Sequence, residues 1–142
     1  MIVYLDTSAL VKALIEEEGS EVAAVLWSEA DGIYSSRLAY PEARAALAAS
    51  LRGNRSNIRQ HREAKTELER RWMQLSIVEV SPEVAGAAGE VAEEYGLRGY
   101  DAVHLASAFA SGGGDITLVT WDRDLAQAGS KAGLGVAPAL GP

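Results

Sequence analysis

Cysteine is absent from the 142 residues. That excludes a disulfide scaffold, a thiol nucleophile and every zinc or iron–sulfur site built on thiolates. No apolar run approaches the ~20 residues that a bilayer-crossing helix needs. The opening MIVYLDTSAL lacks a basic leader segment and meets Asp6 at once, so it does not read as a signal peptide. No internal repeat and no Pro- or Ser-rich linker divides the chain. What remains is 48% apolar and 23% charged, the balance of a folded globular protein rather than a disordered tail. A chain of this size buries ~68–70% of its unfolded surface and can hold one core. The expectation is a single domain over residues 1–142, in the cytoplasm, with no membrane partner.

Net positive charge is also missing. The formal charge is −7, which argues against a protein that simply coats phosphates. The distribution is uneven. Residues 52–71 carry Arg52, Arg55, Arg59, Arg62, Lys65, Arg70 and Arg71 against Glu63, Glu67 and Glu69. Acid dominates the remainder.

The order of elements is alternating. IVYL at 2–5 reads as a buried strand, followed by a helix over roughly 8–18 that Gly19 ends. Ser20 is expected to cap a second helix through about 30. A weaker strand at Ile33–Ser35 precedes an Ala-rich helix over 36–52, which Pro41 forces to start late or bend. A helix over about 57–75 shows Ile58, His61, Lys65, Leu68, Trp72 and Leu75 at helical spacing. Ile77–Val80 is a third strand. Ser81–Pro82–Glu83 starts a helix that Gly96 stops. A helix over 100–111, a strand at Ile116–Thr120, a helix from Asp122 to about 130 and a strand at Gly135–Ala137 complete the pattern, with the tail APALGP read as loose. Strand–helix alternation predicts a parallel sheet with both faces covered. In such sheets ligands sit at the carboxyl ends of the strands.

Asp6 and Asp122 follow strands directly, so both fall on that edge. Asp101 and Glu42 lie in otherwise apolar helical stretches. Singly, Asp6, Asp101 and Asp122 read equally well as helix caps, and Glu42 could pair with Arg37 or Arg44 at the surface. Together they would form a cluster that only protons or cations could neutralise. Hard divalent ions such as Mg²⁺ or Mn²⁺ suit all-carboxylate ligation.

Four segments, YLDTSAL (4–10), PEARAAL (41–47), YDAVHLASA (100–108) and VTWDRDL (119–125), occur in an order that resembles the PIN-domain family, and most closely the VapC-type toxin ribonucleases of toxin–antitoxin pairs. The resemblance implies a three-layer α/β/α sandwich around a mostly parallel sheet and Mg²⁺- or Mn²⁺-dependent hydrolysis of RNA phosphodiesters. It implies that Asp6, Glu42, Asp101 and Asp122 hold the metal, Asp6 and Asp101 directly, Asp122 and Glu42 through water or a second ion. Asp124, Thr7, Ser8 and Thr120 match neighbouring positions that could orient a carboxylate or contact phosphate; Thr7 and Ser8 read equally as helix caps. His104, three residues after Asp101 on the same helix, could in principle bind metal with it but reads rather as a hydrogen-bonded histidine on a half-buried face, and His61 reads as a solvated side chain on the basic helix. The resemblance further implies a homodimer and a cognate VapB-type antitoxin that offers a basic side chain to the acids. Trp27, Tyr40 and Trp72 suit either such interfaces or the core.

The basic segment reads either as a solvated face with local Glu–Arg pairing or as a platform for the RNA backbone, with Arg37, Arg52, Arg55, Arg59, Arg62 and Lys65 as contacts and Arg123 as a further one. Rival classes fit less well. A receiver domain needs a lysine after a late strand, a dehalogenase-like phosphatase needs an acid where Ser8 stands, and a nucleotide-binding module needs a glycine-rich loop after the first strand. A PIN nuclease of RNA processing or decay, or a catalytically inactive PIN interaction module, are the alternatives within the family.

Overall fold

A computed structural model describes residues 1–139; of the expected loose tail, Leu140 to Pro142 lie outside the described residues. The order is β1 (Ile2–Leu5), α1 (Thr7–Lys12), α2 (Ser20–Glu29), β2 (Gly32–Ser36), α3 (Ala39–Arg52), α4 (Ile58–Trp72), β3 (Ser76–Val78), α5 (Pro82–Tyr95), α6 (Gly99–Gly112), a 3₁₀ turn (Gly113–Asp115), β4 (Ile116–Val119), α7 (Arg123–Lys131) and β5 (Gly135–Ala137). The five strands form one sheet in the order β3-β2-β1-β4-β5. Every pairing is parallel. β1 is the middle strand, with β2 on one side and β4 on the other, so the chain reverses its direction across the sheet there. That is the crevice where open α/β sheets take ligands.

Alternation along β1 divides the core. Tyr4 faces a cluster with Leu105 of α6, Leu118 of β4 and Leu125 of α7. Val3 and Leu5 face the opposite side, packing with Ala9, Leu26 and Trp27. This is the expected three-layer sandwich. A separate cluster, Leu10, Ala43, Leu47, Ala64 and Leu68, joins α1, α3 and α4 beside the sheet.

Several local expectations change. The first helix ends at Lys12, well short of Gly19. Ser20 does not cap α2. Gly19 does, with φ at +94° and no side-chain bond, while the Ser20 hydroxyl donates to the Ile15 carbonyl at 2.9 Å. A Cβ at Gly19 would stand 2.8 Å from the Trp121 indole nitrogen, so the position needs glycine both for its backbone and for that contact. α3 starts at Ala39, which puts Pro41 in the first turn, where its missing N–H costs nothing. His61 is half-buried rather than freely solvated, and its buried Nδ1 has no partner among the described residues. Trp27, Tyr40 and Trp72 are half-buried against the α1–α3–α4 cluster. Ser81 caps α5 through Val84 N as expected.

Candidate active site

Each candidate acid is delivered by a different piece of the fold. Asp6 is the first residue past β1 and is 4% exposed. Its Oδ1 accepts the Ala9 amide at 2.9 Å and so caps α1. The same oxygen accepts the Ser8 hydroxyl at 2.7 Å, and Oδ2 accepts the Thr120 hydroxyl at 2.5 Å. Thr120 Oγ1 in turn accepts the Asp122 amide, and Ser8 Oγ accepts the Trp121 amide. The loops after β1 and β4 are thereby tied together. Burial pushes the Asp6 carboxyl above the ordinary aspartate value; the imidazole of His104 and the Thr120 and Ser8 hydrogen bonds offset this only in part.

Glu42 sits in the first turn of α3. It pairs with neither Arg37 nor Arg44. Its Oε1 accepts the Thr7 hydroxyl at 2.6 Å and lies 2.8 Å from His104 Nε2. His104 is 2% exposed, and its Nδ1 meets the Tyr4 hydroxyl at 2.8 Å. Partial burial disfavours the Glu42 charge, but the His104 and Thr7 hydrogen bonds outweigh it and hold the carboxyl below its ordinary value. As an ionised carboxylate Glu42 can only accept, so Nε2 carries the proton toward it. His104 therefore belongs to the acid cluster, contrary to the sequence reading. Its link to Glu42 crosses 62 residues of chain, which no local pattern reveals.

Asp101 is in the first turn of α6, 5% exposed. Asp122 caps α7 through Leu125 N at 2.9 Å. Arg98, absent from the sequence reading, joins them. Its Nε and Nη2 reach Asp101 Oδ2 at 3.0 and 2.9 Å, and Nη2 reaches Asp122 Oδ2 at 3.3 Å. Burial raises the Asp101 carboxyl above its ordinary value, Arg98 pulls it down, and the neighbouring charge of Asp122 adds to the rise.

The four acids fall on one sheet edge; Asp101 and Asp122 share Arg98, while Asp6 is held by Ser8, Thr120 and the Ala9 amide and Glu42 by Thr7 and His104. Among the described residues no three His, Asp or Glu side chains are arranged to enclose an ion. The donor set still fits a hard cation. Mg²⁺ keeps several waters and is commonly held by one or two carboxylates plus substrate phosphate, and Asp101 and Asp122 already share one positive group.

The other candidates separate from this cluster. Thr7, Ser8 and Thr120 are in it. Asp124 is exposed and lies in the first turn of α7, where it lines a groove with Glu94, Tyr95 and Lys131. Arg37 is engaged by Glu79 through two bonds of 3.0 and 2.6 Å. Arg59 pairs with Glu63 at 3.0 Å, and Glu67 takes Arg70 and Arg71. Arg52, Arg55, Arg62 and Lys65 have no acidic partner within 4 Å among the described residues. Arg123 is exposed at the start of α7. Arg52 stands ten residues along α3 from Glu42, about 15 Å at the helical rise, so this end of the basic segment flanks the acids rather than adjoining them.

The PIN-domain family model matches residues 3–131. Ribonuclease VapC49 of Mycobacterium tuberculosis is 45% identical over 138 residues, covering 97% of this chain and 96% of the relative. Two solved structures share the fold. PAE2754 from Pyrobaculum aerophilum has a TM-score of 0.71 at 24% identity, covering 96% of this chain and 89% of its own. A toxin–antitoxin complex from Klebsiella pneumoniae has a TM-score of 0.61 at 18% identity, covering 87% and 90%. The chain belongs to the PIN-domain family and groups there with the VapC proteins.

Proposed function

We propose that this chain is a Mg²⁺- or Mn²⁺-dependent endoribonuclease and the toxin of a toxin–antitoxin pair. The observation that carries the reading is the delivery of Asp6, Glu42, Asp101 and Asp122 by four separate segments to one edge of the sheet (Asp6 and Asp101 nearly buried) in a chain 45% identical to a ribonuclease. Asp6 and Asp101 would hold the cation directly, with Asp122 and Glu42 acting through water or on a second ion. When bound, the cation draws charge off the phosphodiester and acidifies a water. Ser8 and Thr120 fix the Asp6 carboxylate through both of its oxygens. Glu42, held ionised and anchored by Thr7 and His104, is the group able to take a proton from an attacking water. Arg52, Arg55, Arg62 and Lys65 add positive surface along which an RNA backbone can run toward the acids. Arg37, Arg59 and Arg123 are weaker phosphate contacts of the same kind, and Asp124 an outer acid.

A VapB-type antitoxin as partner, a homodimer and action in the cytoplasm complete the proposal. The Klebsiella pneumoniae structure, a toxin–antitoxin complex, supports the first of these. Purified chain, freed of any co-expressed partner, should cut total RNA in Mg²⁺ or Mn²⁺, and lose that activity with EDTA and as Asp6→Asn. Cleavage that persists in Asp6→Asn would sink the site assignment. Absence of cleavage with either metal, in folded protein, would favour the inactive interaction module.

A further inference from the structure

Arg98 is the one feature of the acid edge that the reading above does not use. It lies between Gly96, the left-handed cap of α5, and Gly99, the first residue of α6. Its side chain is 59% exposed, whereas that of Asp101 beneath it is 8% exposed. The guanidinium spends two nitrogens on a single oxygen, Asp101 Oδ2, and one of them again on Asp122 Oδ2. Its other neighbour is the face of Tyr100, 4.8 Å from the ring centroid, and Tyr100 is itself 44% exposed. Arg98 is therefore held by the acids and by a surface ring, with no buried anchor of its own.

Two carboxylates with one guanidinium leave a net charge of −1. The same two carboxylates with one divalent cation are neutral, and with both they carry +1. A cation entering here meets the repulsion of Arg98 at contact distance, and it needs Asp101 Oδ2, the oxygen on which Arg98 places two nitrogens. Release costs Arg98 little, since half of its surface is already in water and Tyr100 offers a resting place.

Resting on the cation reading of this site, we propose that Arg98 competes with the divalent cation for Asp101 and Asp122: it holds the two acids together in the metal-free protein and is displaced when the cation binds. Arg98 is a positioning residue in the empty state and an intrinsic brake on metal loading. Its displacement leaves a free guanidinium at the mouth of the site, where a phosphate of the substrate would be drawn.

Mn²⁺ binding to the full chain, measured by titration calorimetry and by loss of the free Mn²⁺ spin-resonance signal, tests this without reference to activity. Arg98→Gln should bind Mn²⁺ roughly tenfold more tightly than the parent chain, with Arg98→Lys in between because an ammonium keeps the charge but not the second nitrogen that Arg98 places on Asp101 Oδ2. In the parent chain the Arg98 Nε–H resonance, identified by its loss in Arg98→Gln, should be visible without metal and disappear during the Mg²⁺ titration. Equal or weaker Mn²⁺ affinity in Arg98→Gln, with the parent binding normally, would overturn the competition while leaving the cation reading intact. No Mn²⁺ binding to either protein, with the Nε–H signal unmoved by Mg²⁺, would overturn the cation reading and the competition together.

Discussion

The two sets of acids solve the same problem differently. Asp6 and Glu42 are compensated by groups built into the core: the Thr120, Ser8 and Thr7 hydroxyls, the Ala9 amide and the His104 ring. Asp101 and Asp122 share one exposed charge on a loop, and Asp122 in addition accepts the Leu125 amide. Donors anchored in the packed edge cannot leave without disrupting it, whereas an exposed guanidinium can. The first set is therefore fixed in place, and the second can exchange its partner. The contrast teaches that a fold can rigidify one half of an acidic site while leaving the other half open to a change of ligand.

The largest expected effect breaks the fixed half. Asp6→Asn should lower RNA cleavage on the order of a thousandfold while the far-ultraviolet circular dichroism stays native. A loss of under tenfold would show that Asp6 is structural only. Next, His104→Phe strands the buried Tyr4 hydroxyl and removes one of the two partners of Glu42 Oε1. It should cost about 2–4 kcal/mol in urea unfolding, whereas Arg98→Gln should leave the urea midpoint in place. Equal effects from the two would erase the distinction between the halves. Thr120→Val, removing one hydroxyl from a buried carboxylate, should cost about 1–3 kcal/mol.

A subtler measurement uses pH. The folded-state values of Asp6 and Asp101 are both raised by burial. For such a carboxyl the folded state holds its proton longer than the unfolded chain. Its stabilising share is complete below the ordinary aspartate value of ~3.9 and is lost as pH rises through the folded value. Asp6→Asn removes Asp6's part of that loss. The melting temperature of the variant relative to the parent should rise between about pH 4 and neutrality. A flat difference across that range would mean that Asp6 does not titrate as a buried acid. The smallest effect is expected from salt. Raising NaCl to 0.5 M should weaken the hold of Arg98 on its acids, seen as faster exchange of its Nε–H, and leave the His104 ring resonances unmoved.

Much of this architecture is written locally. The buried strand 2–5, the Ser81–Pro82 helix start, the Gly96 stop and the Asp122 cap all depend on residues within a few positions of each other, and the structure keeps them. The acids at strand ends were legible for the same reason. The errors arise where a distant residue decides. Gly19 rather than Ser20 caps α2 against Trp121, 102 positions away. Glu42 turns to Thr7 and His104 rather than to a neighbouring arginine. His104 lies on a helix whose sequence looks apolar, and its burial beside Tyr4 hides its role. Arg98 stands in the stretch Gly–Leu–Arg–Gly, which by composition reads as a turn; only the packing of α7 brings Asp122 to it.

The middle position of β1 also has a consequence in time. Asp6 is made early and Asp122 is made 116 residues later, and the two meet only when β4 has slotted in beside β1. At about 5–20 residues per second of synthesis, that gap is roughly 6–23 seconds. Throughout it the growing chain, in the midst of the translation machinery and its RNA, carries an incomplete acid edge. Chain connectivity alone thus delays assembly of the acid edge until β4 and the loop after it have been made.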